Sequence, residues 1–419
     1  MSAWLQQVLH RGQAISDWLS PVRRQALQAL NDTTWPGRRT EQWKYTSLSA
    51  VEDLALATGQ SQSQPEVETI DGIDSLDLLF VDGELRTDLT TLNLPAGLHV
   101  SQLEQADALQ QVAVTSLYAQ IKPKRHLFGL VNDALAQNIL FIRIEQDCHI
   151  QQPIRIISHS SDGHESHQRV LVQLGNKAKA SIIEQTQGQS NSLSTGFTEF
   201  DLGEHAQLEH YRLLMHTKQA IYFGGCHFCL HDQARLDSTL IGYGSQLSRT
   251  DVDVIHNGEH ANAKLNAVYL LAEGEHFDLH TTIEHAKPNG TTNENVRGIV
   301  GDKANAVFNG RIHIHRDAQK TLAELNNRNL LLSRRGQINT KPELEIYADD
   351  VQCAHGATVA EIEEEALYYL RSRGISRSQA LIMLNFGFIQ ELINQMPNQQ
   401  LAHWLAPQLR ARFKEMEVR

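Results

Sequence analysis

Cys353-Ala-His355 sets a thiol and an imidazole two residues apart. On a β-strand such residues share a face, roughly 6.5–7 Å apart along the chain. Asp349 and Val351 continue the same alternation. A thiolate beside an imidazole is a good donor pair for iron or zinc. A tetrahedral site needs about four ligands, so the pair is either inert or half of a site that another chain completes. Cys226-His-Phe-Cys229 has the spacing of a redox or zinc half-motif. Strand residues three apart face opposite ways, so these thiols could chelate one ion only from a loop or a helix. No second CxxC exists to complete a zinc site, and the pair reads as structural. His313-Ile-His315 puts two imidazoles on one strand face, and Glu284, His285 and His280 could join them only if successive coils stack suitably. Plain alternation, with Ile312 and Ile314 inward, accounts for that motif without a metal.

Other chemistries lack their residues. The nearest approach to a phosphate-binding loop, Gly175-Asn-Lys-Ala178, has neither the preceding glycine nor the hydroxyl that would hold Mg²⁺. No Gly-x-Ser-x-Gly nucleophile elbow is present. If ATP drives anything here, another chain hydrolyses it. The 419 residues carry 37 Lys and Arg against 49 Asp and Glu, a net charge of −12. That balance argues against nucleic acid or an anionic membrane as the main partner. There is no apolar run of about 18 residues to span a bilayer. Trp4, Leu5, Val8 and Leu9 begin a helical pattern at once, so no signal peptide is expected. Four cysteines in so long a chain are not a disulfide framework, and a reducing cytoplasm is the expected location.

The elements that position these side chains fall into four regions. Residues 1–64 read as helical, with Ser20 capping and Pro21 opening a helix to Asn31, then the breaker Trp35-Pro-Gly37 and a Gln/Ser-rich connector from Gly59 to Pro65. Residues 65–139 are mixed, with a strand Leu78–Val81 running into the turn Asp82-Gly83. Residues 140–358 lose helical periodicity and repeat: LGNKAKA from Leu174, LGEHAQL from Leu202, LHDQARL from Leu230 and EHANAKL from Glu259. The alanines Ala178, Ala206, Ala234 and Ala263 lie 28, 28 and 29 residues apart. Such a period in β-rich sequence marks a solenoid, whose coils bury their apolar edges only against one another. VGDKANAVF from Val300 reads as a fifth unit, after a gap in which Lys287-Pro-Asn-Gly290 looks like an inserted loop. Residues 359–419 return to helix. Glu361 to Arg373 is stopped by Gly374, and Ser376 caps a second helix carrying the stripe Ile382, Phe386, Ile389, Ile393 and Met396 beside Leu381, Leu384, Phe388 and Leu392. That arc is wider than a surface helix needs. It packs against a neighbouring helix and the solenoid, or it docks a partner.

The segment Lys341-Pro-Glu-Leu-Glu-Ile-Tyr-Ala-Asp-Asp-Val-Gln-Cys-Ala-His-Gly-Ala-Thr358 resembles the signature of the SufB/SufD family of iron–sulfur assembly proteins. Arg39 to Thr46, Ala306 to Gly310, Asn326 to Leu331 and Tyr369 to Gly374 match it in the same order. The resemblance implies a right-handed parallel β-helix core with helical N- and C-terminal parts. It implies a non-catalytic scaffold that pairs with a SufB chain as a heterodimer and binds the SufC ATPase through its C-terminal helices, with Ile382, Phe386, Ile389 and Ile393 as docking candidates. It places His355 at the interface opposite a SufB cysteine, where an iron–sulfur cluster or iron is held transiently, with Cys353 in the same signature. Because SufB resembles this chain, the isolated protein could form a homodimer through the same edge. The family's link to reduced flavin adds a cofactor to the complex without assigning it to this chain. Cys226, Cys229, His313 and His315 match no family motif and stay as weak metal alternatives. Two rival classes are a β-helix polysaccharide lyase, for which no carboxylate–Arg/Lys cluster is recognisable, and a stand-alone metal binder using the 21 histidines.

Overall fold

Between His164 and Glu361 the chain runs as strands of nine to eleven residues separated by short corners. In this computed structural model, residues 2–416 are described, apart from Gln60, Glu104, Gln105, Gln189, Ser190, Lys218 and the side chain of Leu109. Each strand pairs in parallel with the strand two places further along, so alternate strands build two ten-stranded sheets. One sheet contains Leu193–Leu202, Ile221–Leu230, Leu247–His256, His276–His285, Asn305–Ile314 and Gln337–Ile346. The other contains Lys179–Gly188, Gln207–Met215, Arg235–Tyr243, Asn262–Leu271, Thr291–Val300, Leu322–Leu331 and Gln352–Glu361. The result is a parallel β-solenoid of about eight turns with helices at both termini, and its core is the space between the sheets.

One edge of the solenoid is a ladder of left-handed residues. Lys177, His205, Gln233, His260, Asn289 and Lys320 have φ between 56° and 61°. None is glycine, and left-handed backbone costs an L-residue about 1–2 kcal/mol. Each returns part of that cost by donating its N–H to a carbonyl of the next coil, from Lys177 to Glu204 at 2.7 Å through to Asn289 to Gln319 at 2.9 Å. A fully buried alanine follows the first four, at Ala178, Ala206, Ala234 and Ala261.

This ladder corrects the repeat read from sequence in two places. The parallel register pairs Arg235 with Asn262 and Leu236 with Ala263, so Ala261 is the corner residue and Ala263 belongs to the strand. Lys287-Pro-Asn-Gly290 is no insertion but the next corner of the series, with Asn289 in the left-handed position. Val300 to Ala304 turns the chain at the opposite edge, where Asp302 has φ 48° and Ala304 is fully buried. This corner looks like the first four of the ladder in sequence because each places a left-handed residue one or two positions before a fully buried alanine, Ala304 here.

The two ends of the solenoid differ. At the N-terminal end Leu98–Gln102 lies antiparallel on Leu140–Ile144, and Leu76–Val81 folds back on Glu84–Leu85 through Asp82 and Gly83. At the C-terminal end Gln337–Ile346 and Gln352–Glu361 are the outermost strands of their sheets. The last strand starts at Gln352, so Asp349 sits in a corner rather than on the strand face. It continues past Thr358 because Glu361 still pairs with Leu331, and the following helix is Glu364–Ser372 rather than beginning at Glu361.

The N-terminal helices Ala3–Ala14 and Ser20–Asp32 pack with Leu127–Leu135 on the first sheet, burying Trp4, Leu5, Val8 and Phe128 against Phe197 and Phe223. Ser20 is itself the first helical residue, and no side chain caps this helix. The C-terminal helices Arg377–Asn394 and Gln399–Glu415 cover the outer face of the second sheet.

Candidate functional site

Cys353 and His355 lie on the terminal strand, and the parallel register decides where they point. Cys353 pairs with Ala323 and His355 with Leu325, both buried core residues. Both signature side chains therefore face the solenoid interior at the end where no further coil covers it. Cys353 is half-buried and packs on the core, and burial pushes its thiol up despite a hydrogen bond with the Ala323 backbone. His355 is exposed. Among the described residues no trio of metal-ligand side chains includes either one, so this chain supplies at most two donors there.

The other cysteines separate as strand geometry requires. Cys226 points inward and Cys229 outward. In the interior, Arg212 donates to Glu184 at 2.7 Å and to Cys226 Sγ at 3.1 Å, and His210 bridges Glu184 and Ser238 at 2.8 Å each. Burial pushes the Glu184 carboxyl up, but Arg212 and His210 outweigh it and hold the group at about 2. Burial raises the Cys226 thiol far above its ordinary range. A guanidinium already fills the place of a cation here, and the thiol is held protonated, so the group is a buried ion-pair network. Cys226 with Cys229 is not a chelating pair.

His313 and His315 lie outside, and the alternating Ile312 and Ile314 are fully buried. His315 meets Glu284 at 2.5 Å, and His313 meets Glu345 at 2.9 Å beside Arg311. Hydrogen bonds from Arg311 and His313 hold Glu345 at about 2. Of the expected neighbours only Glu284 joins. His285 is buried and stacked on His256, and His280 pairs with Asp278 at 2.8 Å.

Three constellations were missed in the sequence: the buried Glu184, His210 and Cys226 network, the buried trio His126, His227 and Asp253, and one on the outer wall. Cys229 and His231 sit beside Asp201 of the preceding coil. The available signal was the i, i+2 spacing of Cys229-Leu-His231, the same spacing that singled out 353/355 and 313/315.

The docking candidates pack largely within this chain. Ile389 and Ile393 are at most 2% exposed and Phe386 is 7% exposed, in one cluster with Val268, Leu270, Ile299 and Leu330 of the solenoid. Ile382 is partly buried and lines a cavity of about 250 Å³ with Leu331, Leu367 and Phe413. The apolar arc is wide because the helix packs on the sheet along one side and on Gln399–Glu415 along the other. What the C-terminal helices present outward is Tyr368, Tyr369 and Met383, each more than half exposed.

Residues 156–388 match the SufBD core domain of the SUF system for FeS cluster assembly, and residues 6–156 match the SufBD N-terminal region. The chain belongs to the SufBD family. It is 29% identical to the iron–sulfur cluster assembly protein SufD of Escherichia coli K12 over 407 residues, covering 95% of this chain and 94% of that protein. An iron–sulfur cluster assembly SufBD family protein of Synechocystis is 28% identical over 403 residues, covering 90% of this chain and 87% of its own. The SufD protein of Bacillus subtilis is 22% identical over 422 residues, covering 91% and 90%. A scaffold role in iron–sulfur cluster assembly follows for this SufBD chain, in place of the polysaccharide-lyase alternative. No helix among its described residues is long and apolar enough to cross a membrane.

Proposed function

We propose that the chain is one half of a two-chain scaffold that pairs with SufB through the open end of its solenoid. The observation that carries this is the asymmetry of the ends. The terminal strands Gln337–Ile346 and Gln352–Glu361 each have one ladder neighbour; no residue of either is fully buried, and the last strand is largely exposed. Unpaired strand edges are a liability that folded proteins cover, and here the exposed edge carries Cys353 and His355. An incoming coil would bury the edge and bring its own ligands to those two. Iron and sulfide enter as cargo, with His355 set opposite a partner thiolate. SufC docks on the outward surface of the C-terminal helices around Tyr368, Tyr369 and Met383, and its ATP-driven movement passes through these helices to open the paired ends. Without SufB, the same edge supports a homodimer.

The test is anaerobic co-purification with SufB and SufC, followed by metal analysis, with His355 intact and replaced by Ala. The His355→Ala complex should form at normal yield but lose cluster assembly in cells. Normal assembly by that variant refutes the role of His355, whereas loss of the complex makes the residue structural.

A further inference from the structure

The outer wall of the solenoid carries a second set of metal-ligating side chains, remote from the open end. Asp201 and Cys229 are register partners on adjacent strands, and His231 follows Cys229 by two residues. His231 Nε2 lies 2.9 Å from Asp201 Oδ1 and 3.9 Å from Cys229 Sγ, and the three donor atoms all fall within 4.8 Å of one another. A tetrahedral ion with bonds of about 2.0–2.3 Å spaces its ligands about 3.5 Å apart. The observed separations bracket that value, so modest side-chain shifts close the trio on an ion.

The surroundings separate this trio from the others. In the interior cluster Arg212 occupies both Glu184 and Cys226, whereas Asp201 has no Arg or Lys ion pair among the described residues. Its second oxygen takes a hydrogen bond from the Gln173 amide at 3.3 Å, which orients the carboxylate. All three side chains are half-buried and line a groove of about 440 Å³, walled on one side by Leu117, Ile121 and Pro123. The groove gives an ion a way in and leaves a fourth position for water or a carrier's ligand. The outward column then runs Cys229, Ile255, Glu284, His313, Glu345 across successive strands. At about 4.8 Å per strand, Cys229 is about 19 Å from the terminal strand.

We propose that Asp201, Cys229 and His231 bind one divalent first-row transition-metal ion, of the Fe²⁺, Co²⁺ or Zn²⁺ class, on this chain alone. Thiolate, imidazole and carboxylate together suit such ions rather than Mg²⁺ or Ca²⁺. Binding forms metal–sulfur, metal–nitrogen and metal–oxygen bonds, and both the Cys229 thiol proton and the Nε2 proton that His231 now donates to Asp201 leave to water. The site lies apart from the partner interface, so its failure leaves the pairing proposal untouched, and the converse also holds.

Co²⁺ tests it directly. The full chain, freed of metal and kept anaerobic without partners, should take up one equivalent and develop thiolate-to-cobalt charge-transfer absorption. Cys229→Ser should abolish that absorption, and Asp201→Asn, which preserves shape, should weaken binding at least about tenfold. The pairs Cys353→Ala/His355→Ala and His313→Ala/His315→Ala should leave it in place. Co²⁺ binding without the charge-transfer absorption, or an absorption that survives in Cys229→Ser, overturns the assignment. Circular dichroism of each variant, unchanged from the parent, ties any loss to the site.

Discussion

Replacing Glu294 with Gln should stabilise the protein at alkaline pH and do little in acid. Glu294 projects into the interior from Thr291–Val300, in register between Leu265 and Leu325. Neither of its carboxyl oxygens makes a hydrogen bond of good geometry. Burial pushes the carboxyl from 4.5 up to about 7, and the nearby Thr281 hydroxyl offsets only a little of this. Because the folded-state value lies above the unfolded one, the folded protein holds the proton more tightly. The neutral carboxyl's contribution is fully present below about 4.5 and is lost as pH rises through about 7. A displacement of two and a half pH decades at about 1.4 kcal/mol each sets an upper limit of about 3.5 kcal/mol. Glutamine keeps the volume and never ionises, so it escapes this cost. Urea denaturation of both proteins at matched pH should give midpoints that nearly coincide in acid and separate steadily from about pH 5 to pH 8. A separation independent of pH would refute the reasoning, because a packing effect of the substitution has no such slope.

Three other outcomes follow from packing and charge. Ile389→Ala should cost about 2–5 kcal/mol in thermal or urea melts, since it empties a filled site between helix and sheet. Met383→Asp, on the exposed side of the same helix, should shift those melts by less than about 0.5 kcal/mol while weakening SufC capture in a pull-down. Glu165 anchors the first helix by accepting from Trp4 Nε1 at 3.1 Å and Arg11 at 2.5 Å and by pairing with His167 at 3.0 Å. Burial opposes its ionisation, but His167 and Arg11 bring it down to about 2, so its support is present above about 4.5 and fades as pH falls through about 2. Glu165→Gln should therefore speed protease cleavage near the first helix at neutral pH. The difference from the parent should shrink below about pH 3.

The solenoid itself was legible because strand alternation and corner chemistry are both local. Register was less so. Placing the fourth corner at Ala263 instead of Ala261 is a slip of two residues, which keeps every side chain on its proper face. Period-two patterning is blind to such a slip, whereas a slip of one would have put charge in the core. The fifth unit went astray because Val300–Ala304 obeys the same corner rule at the opposite edge. Among the site residues, the open-ended pair 353/355 could be read from spacing alone. The carboxylate of Asp201 beside Cys229 and His231 could not, since residues 28 apart meet only once the coils are stacked in register. Attention to CxxC also hid the Cys229-Leu-His231 spacing within it. The wide apolar arc of Arg377–Asn394 could not by itself say whether its cover was this chain or another.

The unequal ends of the solenoid also decide how large an assembly can grow. A parallel coil open at both ends could add copies head to tail without limit, which is a route to fibres. Here the N-terminal end finishes in antiparallel strands and a hairpin, so a further coil cannot continue the parallel ladder there as it can at the other end. Under the proposed pairing, growth through the C-terminal end stops at two chains, whether the second is a copy or a relative. The antiparallel cap thus acts as a chain terminator, and it confines the shared ligands to a single junction per assembly.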